Sequence, residues 1–231
     1  MRASAVLHAS VCALARGGRM NPTPTTPITT ELILGGQKSG KSRRAELLAA
    51  AWLAQSTAHR ALLIATAQPW DDEMRQRIAR HQHDRAQRVP GLPTLEEPLH
   101  LAAALRQHST PHTLLVVDCL TLWLTNWTMP AQAADAPQPV QGTANADFEQ
   151  NTRYALDFQA QCAMFLIAIE QAPGPVVLVG NEIGLGVIPL GREVRAFVDA
   201  LGTLNQQVAQ RCPHVTLMAA GLPLTLKAPS A

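Results

Sequence analysis

The feature that most constrains the fold of this chain is residues 35–42, GGQKSGKS, which match the phosphate-loop pattern GxxxxGKS. The apolar residues 32–34 precede this segment, and residues 42–53, which contain no Gly or Pro, follow it. A strand, a glycine-rich turn and a helix in this order wrap backbone N–H groups around the phosphates of a nucleotide. The segment therefore predicts a nucleotide-binding α/β domain. The alternative, a chance match in a glycine-rich turn, is disfavoured by the flanking strand and helix.

Each part of this loop has an expected role. The glycines permit backbone conformations and close approaches that a Cβ atom would obstruct. The ammonium of Lys41 would reach the β and γ phosphates, and the Ser42 hydroxyl would be a ligand of Mg²⁺. We expect nucleotide contacts along the whole loop: Gly35, Gly36, Gln37, Lys38, Ser39, Gly40, Lys41 and Ser42.

The chain has 231 residues, which suits one domain, predicted over residues 31–231. Residues 1–30 differ from the core pattern and are expected to be a disordered extension, with Met20 as the true start. Residues 129–146, rich in Ala, Gln and Pro, predict a flexible insertion. A formal net charge of +2 argues against nucleic-acid or anionic-membrane partners.

Two further absences in the sequence bound the class of protein. No apolar run approaches the roughly 20 residues needed to span a bilayer. The four cysteines lie far apart without CxxC spacing, so the sequence predicts neither a zinc site nor a disulfide framework. A reducing cytoplasmic location fits this pattern.

Short apolar runs alternate with helical spacing along the rest of the chain. This alternation predicts a mainly parallel sheet with helices on both faces, the α/β architecture of P-loop NTPases. Three prolines and a glycine in residues 89–98 predict a loop that carries Glu96. The predicted strands are residues 61–66, 114–118, 175–179 and 214–220, and the predicted helices are residues 71–83, 148–170 and 192–211.

Polar residues stand where predicted strands end. Thr66 and Gln68 close one strand and Asp118 closes another, and ligands of open parallel sheets bind beyond these ends. A carboxylate there can hold Mg²⁺, so Asp118 is a candidate metal ligand together with Ser42, or else a cap of the following turn. Glu182 follows a further strand and could be a general base, hold a metal-bound water or cap a turn.

A histidine on a basic helix is a candidate nucleophile. His81 follows Arg77 by four residues and precedes Arg85 by four, so all three can share one helical stripe. The guanidiniums would attract a phosphate, and a neutral imidazole can attack phosphorus to give a phosphoramidate. The alternative is a solvated surface histidine, and His83 is an equally placed candidate.

Several sequence blocks, in a fixed order, resemble the bifunctional adenosylcobinamide kinase and adenosylcobinamide-phosphate guanylyltransferase family of cobalamin biosynthesis. The resemblance covers about residues 32–227. The blocks are residues 35–46, 64–69, 72–81, 94–98, 117–126, 181–189, 202–206 and 220–223.

The resemblance implies two reactions that between them use ATP, GTP and Mg²⁺. ATP or GTP would phosphorylate the hydroxyl of adenosylcobinamide; His81 would then take GMP covalently from GTP and pass it to adenosylcobinamide phosphate, giving adenosylcobinamide-GDP. Lys41 would assist catalysis by neutralising phosphate charge. The resemblance also implies a homotrimer, and nucleotide contacts at Thr66, Ala67, Gln68, Gln82, His83, Asp84, Arg85, Glu96 and Asp118.

Two other functions stay open at this point. One is a kinase-only enzyme of the same fold in which the histidine is idle; the other is a binding protein that uses the loop as a nucleotide switch. The joint presence of His81, Glu96 and Asp118 argues against the switch. Trp123 and Trp127 could stack on the corrinoid, but their spacing of four favours packing within a helix.

Overall fold

The computed structural model describes residues 28–129 and 144–229 of the chain, with the backbone alone between 144 and 155. Met20, almost all of the predicted N-terminal extension and most of the predicted insertion lie outside the described residues. The described residues contain no helix long and apolar enough to cross a bilayer.

Strands and helices alternate along most of the described chain, as the apolar runs predict. In chain order they are β1 (Glu31–Gly35), α1 (Lys41–Gln55), β2 (Arg60–Ala65), α2 (Asp72–Arg88), β3 (Thr94–Glu96), α3 (Leu101–His108), β4 (Thr113–Asp118), α4 (Leu120–Thr128), α5 (Ala144–Gln171), β5 (Val176–Val179), α6 (Arg192–Arg211), β6 (His214–Ala219) and β7 (Leu222–Lys227).

The strands form one sheet in the order β3-β2-β4-β5-β1-β6-β7. Every neighbouring pair is parallel except β6 and β7, which confirms the predicted mainly parallel sheet. The strand that leads into the phosphate loop, β1, lies between β5 and β6, and β5 separates it from β4, which ends at Asp118. The carboxyl-terminal ends of β1 to β6 therefore lie on the same side of the sheet, its carboxyl-terminal edge.

Helices cover both faces of the sheet, because the strands are apolar on both sides. On one face, Ala45, Ala49 and Trp52 of α1 pack against strand residues such as Ile33 and Val177. On the other face, helices α3 to α6 pack against the alternate strand residues. The largest fully buried side chains of this second layer include Leu32, Leu101, Leu115, Leu120, Trp123 and Phe165.

Trp123 belongs to the core, as its helical spacing predicts. Its ring is fully buried and packs against Phe158 and Phe165, with ring centroids 5.4 and 5.0 Å away. The indole N–H donates to the Leu99 carbonyl at 2.8 Å. Trp127 is partly buried and donates to the same carbonyl at 3.3 Å. The Trp123 ring is therefore part of the hydrophobic core.

The structure differs from the sequence prediction at β3. The segment predicted as a loop, residues 89–98, contains Thr94–Glu96 as a strand that pairs in parallel with β2. An edge strand needs only one ladder of hydrogen bonds, so the prolines at positions 93 and 98, outside the paired residues, do not prevent it.

The C-terminal part of the chain also differs from the prediction. The strand predicted over residues 214–220 ends at Ala219, and β7 returns antiparallel beside it after a turn at Ala220 and Gly221, which have φ angles of 50° and 80°. Two residues with positive φ give the tight hairpin turn whose twist matches paired strands. The helix predicted to begin at residue 148 begins at Ala144.

Candidate active site

The phosphate loop leaves β1 with a backbone that only glycine fits at Gly35. This residue has φ 152°, and a Cβ atom there would lie 2.5 Å from the Met218 carbonyl oxygen and 2.6 Å from Ser39 Oγ. Gly40, at the start of α1, has φ 103°. Both glycines thus permit the tight turn that the motif predicts.

Neighbouring segments hold the loop in place through its carbonyls. The Glu182 N–H, after β5, donates to the Gly35 carbonyl at 3.1 Å. The Gly221 N–H, in the β6–β7 turn, donates to the Ser39 carbonyl at 3.0 Å. The loop is therefore built on both sides by strands that come more than 140 residues later in the chain.

Lys41 lies at the base of this loop with its side chain turned inward. It is 8% exposed, and its Nζ donates to the Gly36 carbonyl at 2.6 Å. Burial lowers the pKa of Lys41; negative charge at Cys119 and Asp118 opposes this shift, and Arg77 adds to it. Because burial raises the pKa of the Cys119 thiol to about 11, Asp118 is the counter-charge at neutral pH.

Two serines of the loop complete the predicted phosphate cradle. Ser39 is buried, and its Oγ has no hydrogen-bond partner within the described residues. Ser42 is half-buried in the first turn of α1. A buried hydroxyl without a partner is unfavourable, and a bound phosphate oxygen would satisfy it.

At the end of β2, Thr66 joins β4. Its Oγ1 donates to the Cys119 carbonyl at 2.7 Å and accepts from the Cys119 N–H at 2.9 Å, while its own N–H donates to the Asp118 carbonyl at 3.1 Å. The hydroxyl predicted as a nucleotide contact is thus engaged within the protein. Ala67 and Gln68 follow it and are half-buried.

Glu96 stands apart from the phosphate loop along the same edge. It is exposed at the end of β3, in register with Ala65, which is in turn in register with Asp118. With about 4.8 Å between neighbouring strands, β3 lies about 19 Å from β1. The structure therefore brings Lys41 and Asp118 together and places Glu96 at the far end of the edge.

The helix that carries His81, α2, begins with a side-chain cap and passes near the loop. Asp71 Oδ1 accepts from the Met74 N–H at 2.7 Å, a typical N-terminal cap. Arg77 is exposed, and its charge contributes to the lowered pKa of Lys41. His81 lies one turn beyond Arg77 on α2 and is also exposed.

The residues after His81 have mixed surroundings. The helical stripe predicts that the Arg85 guanidinium attracts a phosphate. In the structure Arg85 is buried, and its guanidinium donates to Thr94 Oγ1 of β3 at 3.1 Å. His83 is hydrogen-bonded to Gln87 at 2.9 Å. Gln82 and Arg85 line a cleft of about 230 Å³ beside Thr94, and Asp84 accepts from Arg88 at 3.3 Å.

A salt bridge fixes the C-terminal end of α2 to the phosphate-loop helix. Arg88 Nη1 lies 2.5 Å from Glu46 Oε2, and Glu46 is almost fully buried. The hydrogen bond to Glu46 raises the pKa of Arg88. The position of α2 is therefore set by α1, although the sequence gives no signal for this long-range pair.

Two carboxylates remain candidates for metal or proton chemistry. Asp118 is half-buried beside Lys41, and Glu182 Oε1 accepts from the Gly184 N–H at 3.0 Å, the contact of a turn cap. No group of three or more His, Cys, Asp or Glu side chains that could hold a metal occurs in residues 28–129 or in the described part after 144. A Mg²⁺ ion, which needs few protein ligands when phosphates are present, fits this donor set.

These features define a class of protein. A phosphate loop after a central parallel strand, a buried lysine under it and a carboxylate two strands away are the parts of a P-loop nucleotide-binding α/β enzyme. The family model "Cobinamide kinase / cobinamide phosphate guanyltransferase" matches residues 31–226, and the chain belongs to this family.

Curated relatives agree with this membership. The chain is 46% identical over 198 residues to the bifunctional adenosylcobalamin biosynthesis protein CobP of Pseudomonas aeruginosa, an alignment that covers 85% of this chain and 96% of that protein. It is 33% identical to CobU of Salmonella typhimurium, covering 85% and 98% of the two chains.

A remote likeness to solved structures also exists. The flagellar accessory protein FlaH of Methanocaldococcus jannaschii is similar over 87% of this chain and 79% of its own, with a TM-score of 0.43 and 10% identity. The fold class rests on the strand order and the phosphate loop instead.

Replacing the buried ammonium tests the site without any corrinoid. We expect Lys41→Met to abolish nucleotide binding and to raise the free energy of unfolding, because a buried charge is lost. Because the pKa of Lys41 in the folded protein lies below 10.5, burying the ammonium lowers the free energy of unfolding at low pH. This destabilisation disappears as pH rises towards 10.5 and the amine becomes neutral in both states. Urea unfolding at about pH 7 and about pH 10 should show the gain shrinking.

The matched control is Lys38→Met, at an exposed position of the same loop. Its stability should follow that of the unmodified protein at both pH values. A Lys41→Met protein that is less stable at neutral pH, or whose gain does not change with pH, would contradict the buried-charge interpretation.

Proposed function

We propose that one nucleotide site serves both reactions of the family, phosphorylation of adenosylcobinamide and transfer of GMP to the phosphorylated product. The observation that carries this proposal is the packing of α2, which bears His81, against α1, which begins in the phosphate loop: Arg88 of α2 pairs with the buried Glu46 of α1. The same triphosphate could thus meet a substrate hydroxyl at its γ phosphorus and His81 at its α phosphorus.

In the kinase reaction, the hydroxyl oxygen of adenosylcobinamide attacks the γ phosphorus of ATP or GTP. The bond from that phosphorus to the bridging oxygen breaks, the nucleoside diphosphate leaves and the hydroxyl proton passes to solvent. The ammonium of Lys41 neutralises charge that develops on the transferred group and the leaving oxygen. Glu182 remains a candidate base, although its carboxylate caps a turn.

In the guanylyl reaction, a ring nitrogen of His81 attacks the α phosphorus of GTP and pyrophosphate leaves. A phosphate oxygen of adenosylcobinamide phosphate then attacks the phosphorus of the bound GMP. The bond from nitrogen to phosphorus breaks, its electron pair returns to the imidazole, and adenosylcobinamide-GDP is released. Two in-line displacements through a covalent intermediate replace one difficult step.

Mg²⁺ is the proposed metal, held by Ser42 and Asp118 together with phosphate oxygens. Bound there, it would neutralise phosphate charge. Asp118 is suited to this role because it lies at the end of β4, close enough to Lys41 to oppose the lowering of its pKa. Positioning of both reactants by the loop supplies the rest of the rate enhancement.

The contacts of α2 support an approach of His81 to the loop. Both Arg85–Thr94 and Arg88–Glu46 are made by residues after His81. We propose that the first turns of α2 shift towards a bound triphosphate while these two contacts hold the end of the helix.

Labelling with GTP that carries radioactive phosphorus at the α position tests the proposal. We expect label to stay on the denatured chain in an acid-labile, base-stable form, as a phosphoramidate requires. His81→Ala should lose the label and guanylyl transfer but keep phosphorylation of adenosylcobinamide. The control is His112→Ala. His112 is exposed and lies just before β4, at the amino-terminal ends of the parallel strands, so this variant should label normally.

The outcomes separate the alternatives. Label that survives in His81→Ala and disappears in His83→Ala would move the nucleophile to His83. Absence of label in every variant, with the kinase intact, would leave a kinase-only enzyme. Failure of both reactions would favour a nucleotide switch.

We also propose that the chain works in the cytoplasm as a homotrimer. The segment after β5 exposes large apolar side chains, with Val187 96% and Leu190 97% exposed, and β7 exposes Leu222 and Leu224. Such surface is typical of an interface between chains. Light scattering should give three times the mass of one chain; a monomer mass at micromolar concentration would contradict the trimer.

A further inference from the structure

A buried amide joins the ends of two strands on the far side of the site from the phosphate loop. Asn126 of α4 is 6% exposed. Its Nδ2 donates to the Thr66 carbonyl at 2.8 Å and to the Pro98 carbonyl at 3.0 Å. Thr66 directly follows β2, and Pro98 lies two residues after β3, so one side chain fixes both ends relative to each other.

The connection continues to β4 through Thr66. The Thr66 hydroxyl and N–H bind the backbone of Cys119 and Asp118, and the Glu97 N–H donates to the Ala65 carbonyl at 2.9 Å. Asn126 is thus the one described side chain that bonds to the segments following both β2 and β3. The segments that it joins contain residues proposed to contact the nucleotide.

We propose that Asn126 is a positioning residue for GTP in guanylyl transfer. It ties the Thr66 carbonyl to the Pro98 carbonyl and so holds residues 66–68 against the segment that follows Glu96, acting through backbone atoms without touching the substrate. The proposal rests on the nucleotide contacts proposed for these two segments. Its physical basis is that Asn126 donates both amide hydrogens to carbonyls just after these strands, where a small shift also moves the neighbouring residues.

The phosphate loop should not depend on Asn126. Glu182 and Gly221 hold the loop, and both belong to segments around β5, β6 and β7. Loss of the amide would therefore displace the β2 and β3 ends and leave Lys41 and its loop in place. The expected effect is weaker GTP binding with little change in the chemical step.

The first experiment measures guanylyl transfer by Asn126→Ala. We expect KM for GTP to rise about tenfold, which corresponds to about 1.4 kcal/mol, while kcat and KM for adenosylcobinamide phosphate change less than about threefold. The matched control on the same helix is Thr128→Ala, an exposed residue bonded only to Leu124 within α4, which should leave all three constants unchanged. An unchanged KM for GTP, or a fall in kcat alone, would overturn the proposal.

A second variant distinguishes positioning from loss of packing. Asn126→Asp keeps the shape of the side chain, but its carboxyl donates a hydrogen bond only when protonated. Burial raises the pKa of such a carboxyl. Its single O–H can replace one of the two hydrogen bonds of the amide, so kcat/KM for GTP relative to the unmodified protein should recover in part as pH falls from about 8 to about 6. A ratio that does not change with pH, or a protein that stays unfolded across the range, would overturn the proposal.

A third variant separates this proposal from the one on which it rests. Gln68→Ala removes a side chain proposed to contact the nucleotide and leaves the Asn126 contacts intact. If Gln68→Ala raises KM for GTP and Asn126→Ala does not, the positioning role is wrong while the site is right. If neither variant changes KM, the placement of GTP against residues 66–68 is wrong, and the Asn126 role is overturned with it.

Discussion

The candidate site depends on hydrogen bonds that hold the carbonyls of the phosphate loop from outside. The donors, Glu182 and Gly221, lie at the end of β5 and in the β6–β7 turn, so the sheet itself fixes the loop backbone. Gly35 permits the close approach of β6 to the loop, because a Cβ atom there would lie 2.5 Å from the Met218 carbonyl oxygen. A loop held in this way is preorganised, and binding of the triphosphate does not have to order it.

Local patterns in the sequence predict those parts of the fold that are formed by residues close together in the chain. The phosphate loop, the predicted strands that became β1, β2, β4 and β5, and the amphipathic helix α6 follow from apolar runs, spacing and turn residues. Their alternation also gave the parallel sheet. Spacing and strand ends made His81, Thr66, Gln68 and Asp118 candidates. The covalent role of His81 and the nucleotide contact of Glu96 came from family resemblance, because exposed polar residues carry no signal of their own for a particular reaction.

The features of the fold and the site that the sequence did not predict depend on contacts between residues far apart in the chain, and local patterns carry no signal for such contacts. The strand β3 forms because the backbone of β2 provides its hydrogen-bond partners, whereas the prolines of this segment predict a loop. Arg85 appears free to flank His81 until Thr94 is placed beside it. Asn126 looks like an ordinary helical residue, and its function as a link between strand ends is visible only when α4 packs over β2 and β3.

In the proposed function, a single phosphate loop holds the nucleotide for both reactions. Equilibrium dialysis measures this directly with a labelled GTP analogue that carries a methylene group between the α and β phosphorus atoms, which His81 cannot displace, and with an unlabelled ATP analogue as competitor. We expect one GTP analogue to bind per chain, the ATP analogue to displace it completely, and Lys41→Met to bind none. Two GTP analogues per chain, or a bound fraction that the ATP analogue does not displace, would contradict this proposal.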